Sequence, residues 1–226
     1  QWAYAAMAVF PILAWFWVRT TKELPSVVNP PGHEANSAWD LLNDSMFRRL
    51  LLVNWFLSAC WDVHTFVVPI LGHEKNISAS SIGSILGGFA IAAALIRFLL
   101  PMVVAKLQEW QVITSAMLMT SALLGIYPFM QSALAMGICS VFLGFSLGSV
   151  QPMVMSTLHQ ITPESRHGEA LGLRLMGINA SSVLMPMVFG AAGAVIGVGA
   201  VFWCVSLVVG LGSRSAYLLR VHKKNE

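Results

Sequence analysis

The chain has 226 residues, of which 57% are hydrophobic and only 10% charged, with a formal net charge of +3. A soluble domain carries roughly 25% charged residues, so an ordinary water-soluble globular protein is excluded. The apolar content likewise excludes a disordered or collagen-like chain, which leaves a polytopic membrane protein.

Crossing a ~30 Å hydrocarbon core takes about 20 apolar residues in a helix. Residues 1–18 form the first apolar run, closed by Arg19 and Lys22. Gln1 opens inside that run with no initiator methionine before it. The run lacks the basic start and small-residue cleavage site of a signal peptide, so it reads as the beginning of a fragment of a larger protein. Residues 19–49 are the long polar stretch, with Pro25, Pro30, Pro31 and Gly32. Within it, 37–47 reads as a short membrane-surface helix with Trp39, Leu42, Met46 and Phe47 to one side.

Residues 50–71 and 80–104 are the second and third runs. Residues 111–158 contain no charged residue. As one helix they would be about 72 Å long, so they must turn back, and Tyr127–Pro128 through Ser132 is the expected turn. Residues 170–213 would be about 66 Å long; Gly190, Gly193 and Gly197 offer the turn there. The total is seven spans. The runs are continuously apolar rather than alternating, which argues for helices over barrel strands.

The basic residues set the orientation. Arg19, Lys22, Arg48, Arg49, Lys106, Arg166, Arg214, Arg220, Lys223 and Lys224 fall on one side, and Lys75 alone on the other. That bias puts the C-terminal tail in the cytoplasm of a multi-pass cell-membrane protein. It also makes the net charge topological, with no nucleic-acid partner implied. Trp15, Trp17 and Trp110 sit at aromatic-belt positions, which plain packing explains equally well. Asn76–Ile77–Ser78 fits a glycosylation sequon, a triplet common by chance. Cys60, Cys139 and Cys204 give neither a disulfide framework nor metal-ligand spacing and read as small core residues.

An ionisable residue inside a span costs about 2.5–3.5 kcal/mol on insertion scales and therefore needs a reason. Here these residues are Asp62, His64, Arg97 and Arg174. Asp62 is ~20 Å along the helix axis from Arg49. Asn54, Ser58, Asp62 and Thr65 follow an i, i+4, i+8, i+11 pattern, which is one helical face, with Trp61 on the same side. Such a stripe lines a solute cavity or holds a structural carboxylate. Arg97 is the expected partner of Asp62, as a gate, an anion holder or a simple counter-ion. It shares a face with Gly83, Gly87, Ala90 and Ala94, small residues that let helices approach closely. His64 lies off the stripe and is expected to hydrogen-bond a neighbouring helix. Arg174 is expected to snorkel to the surface. Gln151 and Asn179 are candidate solute contacts or interhelical glue.

Gly144, Ser146 and Gly148 match the G-x-S-x-G of a nucleophile elbow, but that turn belongs between a strand and a helix. The same glycines read as a G-x-x-x-G packing face, so no enzyme is expected. No metal motif or cofactor fingerprint appears, and none is expected to bind.

One span, a long linker and six further spans resemble the end of the first half and all of the second half of a major facilitator superfamily transporter. The 163–172 stretch is similar to that family's P-x-x-x-R-G-x-A-x-G loop through Pro163, Arg166, Gly168, Ala170 and Gly172, with His167 inserted before the glycine. Gly177 and residues 186–190 resemble the family's eleventh helix, and Phe145, Gln151 and Pro152 the end of its tenth. Arg97, Pro101 and Lys106 resemble the inner end of the eighth, with Pro101 at a glycine position and Ala105 at an acidic one.

The resemblance implies an all-α helical bundle working by alternating access. Its parts are the last helix of the first half (1–18), a cytoplasmic linker (19–49), a six-helix C-terminal half (50–213) and a cytoplasmic tail (214–226). The partners implied are a small-molecule solute, the lipid bilayer and a missing N-terminal half. Asn54, Ser58, Trp61, Asp62, Thr65, Gln151 and Asn179 then line the substrate pathway, with Asp62 and Arg97 in proton coupling or gating. Proton-coupled efflux of a drug-like or metabolite solute is the expected activity. The alternative is a seven-helix ligand receptor without retinal, because no lysine lies in a span to form a Schiff base.

Overall fold

The computed structural model describes residues 2–21, 37–103 and 107–220. The expectations for Pro25, Pro30, Pro31, Gly32, Lys22, Ala105, Lys106, Lys223 and Lys224 fall outside the described residues. Every described element is helical. The chain divides into two compact units, Gln1–Asn36 and Ser37–Glu226.

The first unit holds one helix, α1 (Trp2–Thr20), of 19 residues. At 1.5 Å per residue it is about 28 Å long, which is the length of a membrane crossing. It ends where the apolar run ends. Arg19 lays its guanidinium over the Trp15 ring at 4.2 Å, and Thr20 and Thr21 return their hydroxyls to the carbonyls of Trp17 and Val18.

The second unit is a bundle of helices: α2 (Ser45–Asp62), α3 (Val68–Glu74), α4 (Ala79–Val103), α5 (Glu109–Ile126), α6 (Ala133–Ile161), α7 (His167–Ile196) and α8 (Val198–Tyr217). α2 and α3 are joined by a π-helical turn, Val63–Val67, into one span of 30 residues. Six spans in this unit are long and apolar enough to cross a membrane. With α1 as the expected first crossing, the count agrees with the seven expected.

Several boundaries differ from expectation. The expected surface helix over 37–47 is instead a 3-10 turn, Ala38–Asn43, followed by the start of α2. Asp44 causes the break. Its carboxylate accepts the Met46 N–H at 2.9 Å and caps α2, so the helix starts inside the stretch assigned to the linker. Trp39 is then exposed, whereas Leu41 and Phe47 are buried.

The long uncharged stretch turns at Tyr127–Phe129, a 3-10 segment with Pro128 inside it, as expected. Of the three glycines offered for the last turn, Gly197 makes it, with φ +88°; Gly190 and Gly193 remain inside α7. The opposite loop is fixed by Asn76, the one described non-glycine residue with positive φ (58°). Asn76 N–H bonds His73 O and Ile77 N–H bonds Gly72 O, which is a Schellman cap on α3. Lys75 Nζ, next to it, donates to Pro128 O and Met130 O. Burial against that turn lowers the Lys75 pKa from the ordinary lysine value.

α4 packs most extensively on α6, α5 on α8, and α2 on α7 and α8. The α4–α6 contact rests on Gly144 and Gly148. A Cβ at Gly148 would lie 2.7 Å from the Ala93 backbone, and one at Gly144 would meet Phe89 O and Ala92. The G-x-x-x-G reading is therefore the one this structure bears out. The face of α4 used is Phe89, Ala92 and Ala93, all buried. The expected face was Gly83, Gly87, Ala90 and Ala94. Those residues are exposed, and both glycines have nothing within 4 Å of a Cβ. α5 and α8 are joined by a reciprocal serine pair: Ser121 Oγ donates to Ser206 O and Ser206 Oγ to Ser121 O, both at 2.7 Å. In a medium with little hydrophobic drive between helices, such polar contacts and close backbone approach hold a bundle together.

The ends of the bundle differ in charge. Arg48, Arg49, Arg166, Arg214 and Arg220 gather at the end holding the starts of α2, α5 and α7. There Trp110 stacks edge-on with Tyr217 and lies under Arg220. Lys75 is at the other end.

Candidate functional site: a polar cavity between four helices

The polar stripe of α2 is buried: Asn54 is 4% exposed, Ser58 9% and Asp62 6%. It forms one wall of a cavity of about 250 Å³. Trp61 belongs to the same wall and meets the Phe89 ring edge-on at 4.7 Å. α4 contributes Arg97, α6 contributes Leu147, Val150 and Gln151, and α7 contributes Ile178 and Ser182. The volume is a little under the range typical of small-molecule sites.

The expected Asp62–Arg97 ion pair does not form. Both residues line the cavity, but Asp62 Oδ2 accepts a hydrogen bond from Ser181 Oγ at 3.0 Å. The ion pair present among the described residues joins Arg166 to Glu169. Arg97 is exposed on α4, and a neutral hydroxyl supplies the carboxylate's contact.

Arg174 overturns its expected role. It does not snorkel outward and is 5% exposed. Its Nε donates to Asn54 Oδ1 at 3.2 Å and its Nη2 to Gln151 Oε1. The reason lies in the start of the helix. α7 begins at His167, which places Arg174 about 10 Å in. At that depth two amide oxygens from α2 and α6 hold the guanidinium. On α7, Arg174 and Ser181 stand seven residues apart, a spacing that puts both on one helical face.

Two expected lining residues are elsewhere. Thr65, in the π-helical turn, returns its hydroxyl to Trp61 O and Asp62 O at the end of α2. Asn179 is exposed on another face of α7. The turn has a local cause. Pro69 has no N–H to give to the carbonyl four residues back and its ring crowds it, and a widened turn relieves both.

His64 behaves as expected of an interhelical donor or acceptor. Its Nε2 hydrogen-bonds with Ser140 Oγ at 2.9 Å, Ser140 with the Tyr127 hydroxyl at 2.8 Å, and the ring stacks on Phe89. Ser146 bonds Thr120 and Ala116 O from mid-helix, so it is neither on an elbow nor paired with His64. Cys60 and Cys139 are buried, but Cys204 is exposed, contrary to its reading as a core residue.

Span-length apolar helices enclosing a cavity with a carboxylate, a guanidinium and amides describe a membrane transporter. Residues 50–226 match the family model of the Major Facilitator Superfamily. The chain belongs to that superfamily, whose members are membrane transporters, and this answers the receptor alternative. No curated protein matches the chain.

Proposed function

We propose that the protein carries a small solute across the membrane by alternating access, as proton-coupled efflux of a drug-like or metabolite substrate. Residues 50–213 form the C-terminal half of the carrier, and 1–18 the last helix of its N-terminal half. The basic end of the bundle faces the cytoplasm. Asn54, Ser58, Trp61 and Gln151 contact the solute, and Asp62 carries the coupling proton, with Arg97 opposite it.

One observation carries this reading. Asp62 is buried and without a cationic partner among the described residues, yet it lies in a cavity wall rather than in solid packing. A carboxylate costs too much in a span to be kept there without use. Ser181 stabilises it but does not neutralise it, so its charge is free to change when a proton or cationic solute arrives.

The test uses proteoliposomes of the intact protein, with ethidium as the cationic probe and an imposed pH gradient. Wild type accumulates the dye, Asp62→Asn accumulates it at the rate of empty liposomes, and Asp62→Glu retains part of the activity. Unchanged pH-driven accumulation in Asp62→Asn would remove Asp62 from the coupling role.

A further inference from the structure

The central cavity carries charge of both signs. Asp62 and Arg97 line it together, yet neither has an opposite charge within ion-pair distance among the described residues. A solute that is only a cation would satisfy Asp62 and be repelled by Arg97, and a simple anion would meet the reverse. Either leaves one ion of the wall uncompensated as water is expelled, which is expensive in a low-dielectric setting.

The other polar groups of the wall give the cavity a direction. A guanidinium can only donate, so Asn54 and Gln151 turn their amide oxygens to Arg174. Both amides line the cavity, and their NH2 groups are left without an acceptor among the described residues. Ile96 packs on Gly148, about one helical turn before Gln151, which puts Arg97 at the level of these amides. Asp62 stands eight residues beyond Asn54 on α2, roughly 12 Å along the axis, with Ser58 between them. Hydrogen-bond donors therefore gather at one end of the cavity and the carboxylate stands at the other.

We infer, on the reading of this cavity as the solute site, that the solute is a small zwitterion, its carboxylate held by Arg97 with the amides of Asn54 and Gln151 and its ammonium by Asp62. The cavity, of about 250 Å³, suits a solute of amino-acid size better than a bulky one. Arg174 is a positioning residue here: it orients the two amides and leaves the contact with the solute to them.

Calorimetric titration of the intact protein in detergent tests this. The probes are glycine, β-alanine, γ-aminobutyrate and 6-aminohexanoate, each beside the amine and the carboxylate of its own chain length. The best zwitterion of the series is expected to bind about tenfold more tightly than its amine and its acid, the size of one added charge-assisted contact. Arg97→Gln brings it down to the level of the amine, and Asp62→Asn to that of the acid. Arg214→Gln, an exposed cation away from the cavity, leaves it unchanged. Should Asp62→Asn fail to fold, the exposed Arg97 variant decides alone. Zwitterions that bind no better than the amines, or a preference that survives Arg97→Gln, would overturn the inference. Binding needs no pH gradient, so the two readings separate. Absence of the preference beside an intact pH-driven dye accumulation strikes the zwitterion alone. The preference beside unchanged accumulation in Asp62→Asn strikes the coupling role alone.

Discussion

Asp62 and Arg174 are two buried ions of opposite sign on facing helices, and neither is paired with an opposite charge among the described residues. Each is held by neutral groups instead: Asp62 by Ser181, Arg174 by Asn54 and Gln151. Unsatisfying a hydrogen bond to a buried charge costs about 1.5–3 kcal/mol. Asn54→Leu, similar in volume but unable to accept, is expected to lower stability by about that amount, read as a drop in the thermal midpoint of the detergent-solubilised protein. An unchanged midpoint would mean that Gln151 alone suffices. Asn76 presents a different residue-scale argument. It has left-handed backbone in the Schellman cap, a conformation that costs a side-chain-bearing residue roughly 1–2 kcal/mol unless it is Gly, Asn or Asp. Asn76→Ala should therefore destabilise by about 1 kcal/mol and Asn76→Gly should not, as measured in the same melts. That cap also gives a structural reason for an asparagine at the sequon.

At the scale of elements, the most extensive helix–helix contact among the described residues is α4 on α6, and it depends on missing side chains. Gly148→Ala puts a methyl 2.7 Å from the Ala93 backbone. Backbone cannot rotate away as a side chain can, so overpacking of about 1–3 kcal/mol is expected. Gly87→Ala, one of the open glycines of α4, serves as the control and should be neutral or better in the same unfolding assay. Comparable losses in both would refute the packing account. The sequence was legible here to different depths. Apolar runs and glycines specified the helices and the Tyr127 turn, because length against bilayer thickness leaves few solutions. They did not specify which small face of α4 is used. Gly83, Gly87, Ala90 and Ala94 form as good a stripe as Ala92 and Ala93, and only the position of α6 decides between them.

Across the whole molecule, the polar residues of the Ser37–Glu226 unit sort into a basic end, a lysine-pinned opposite end and a cavity between. The stripe Asn54, Ser58, Asp62 was readable because all three lie on one helix and share its period. Arg174 was not, because its role depends on where α7 starts and on Gln151 from another helix. The Asp62–Arg97 pairing failed for the same reason: charge complementarity suggests a pair, but distance between helices is a tertiary fact. Family membership then fixes the class of activity, while the substrate stays with the residues of the cavity wall.

The central claim is that the Asn54–Asp62 face of α2 is wet. Cysteine accessibility reads this directly in membranes, after Cys60, Cys139 and Cys204 are replaced by alanine. Ser58→Cys, in the cavity wall, should react with a membrane-impermeant cationic methanethiosulfonate, and Val63→Cys, wholly buried in the core, should not. Lack of reaction at Ser58→Cys from both sides of the membrane, or equal reaction at the two positions, would contradict an aqueous solute cavity at Asp62.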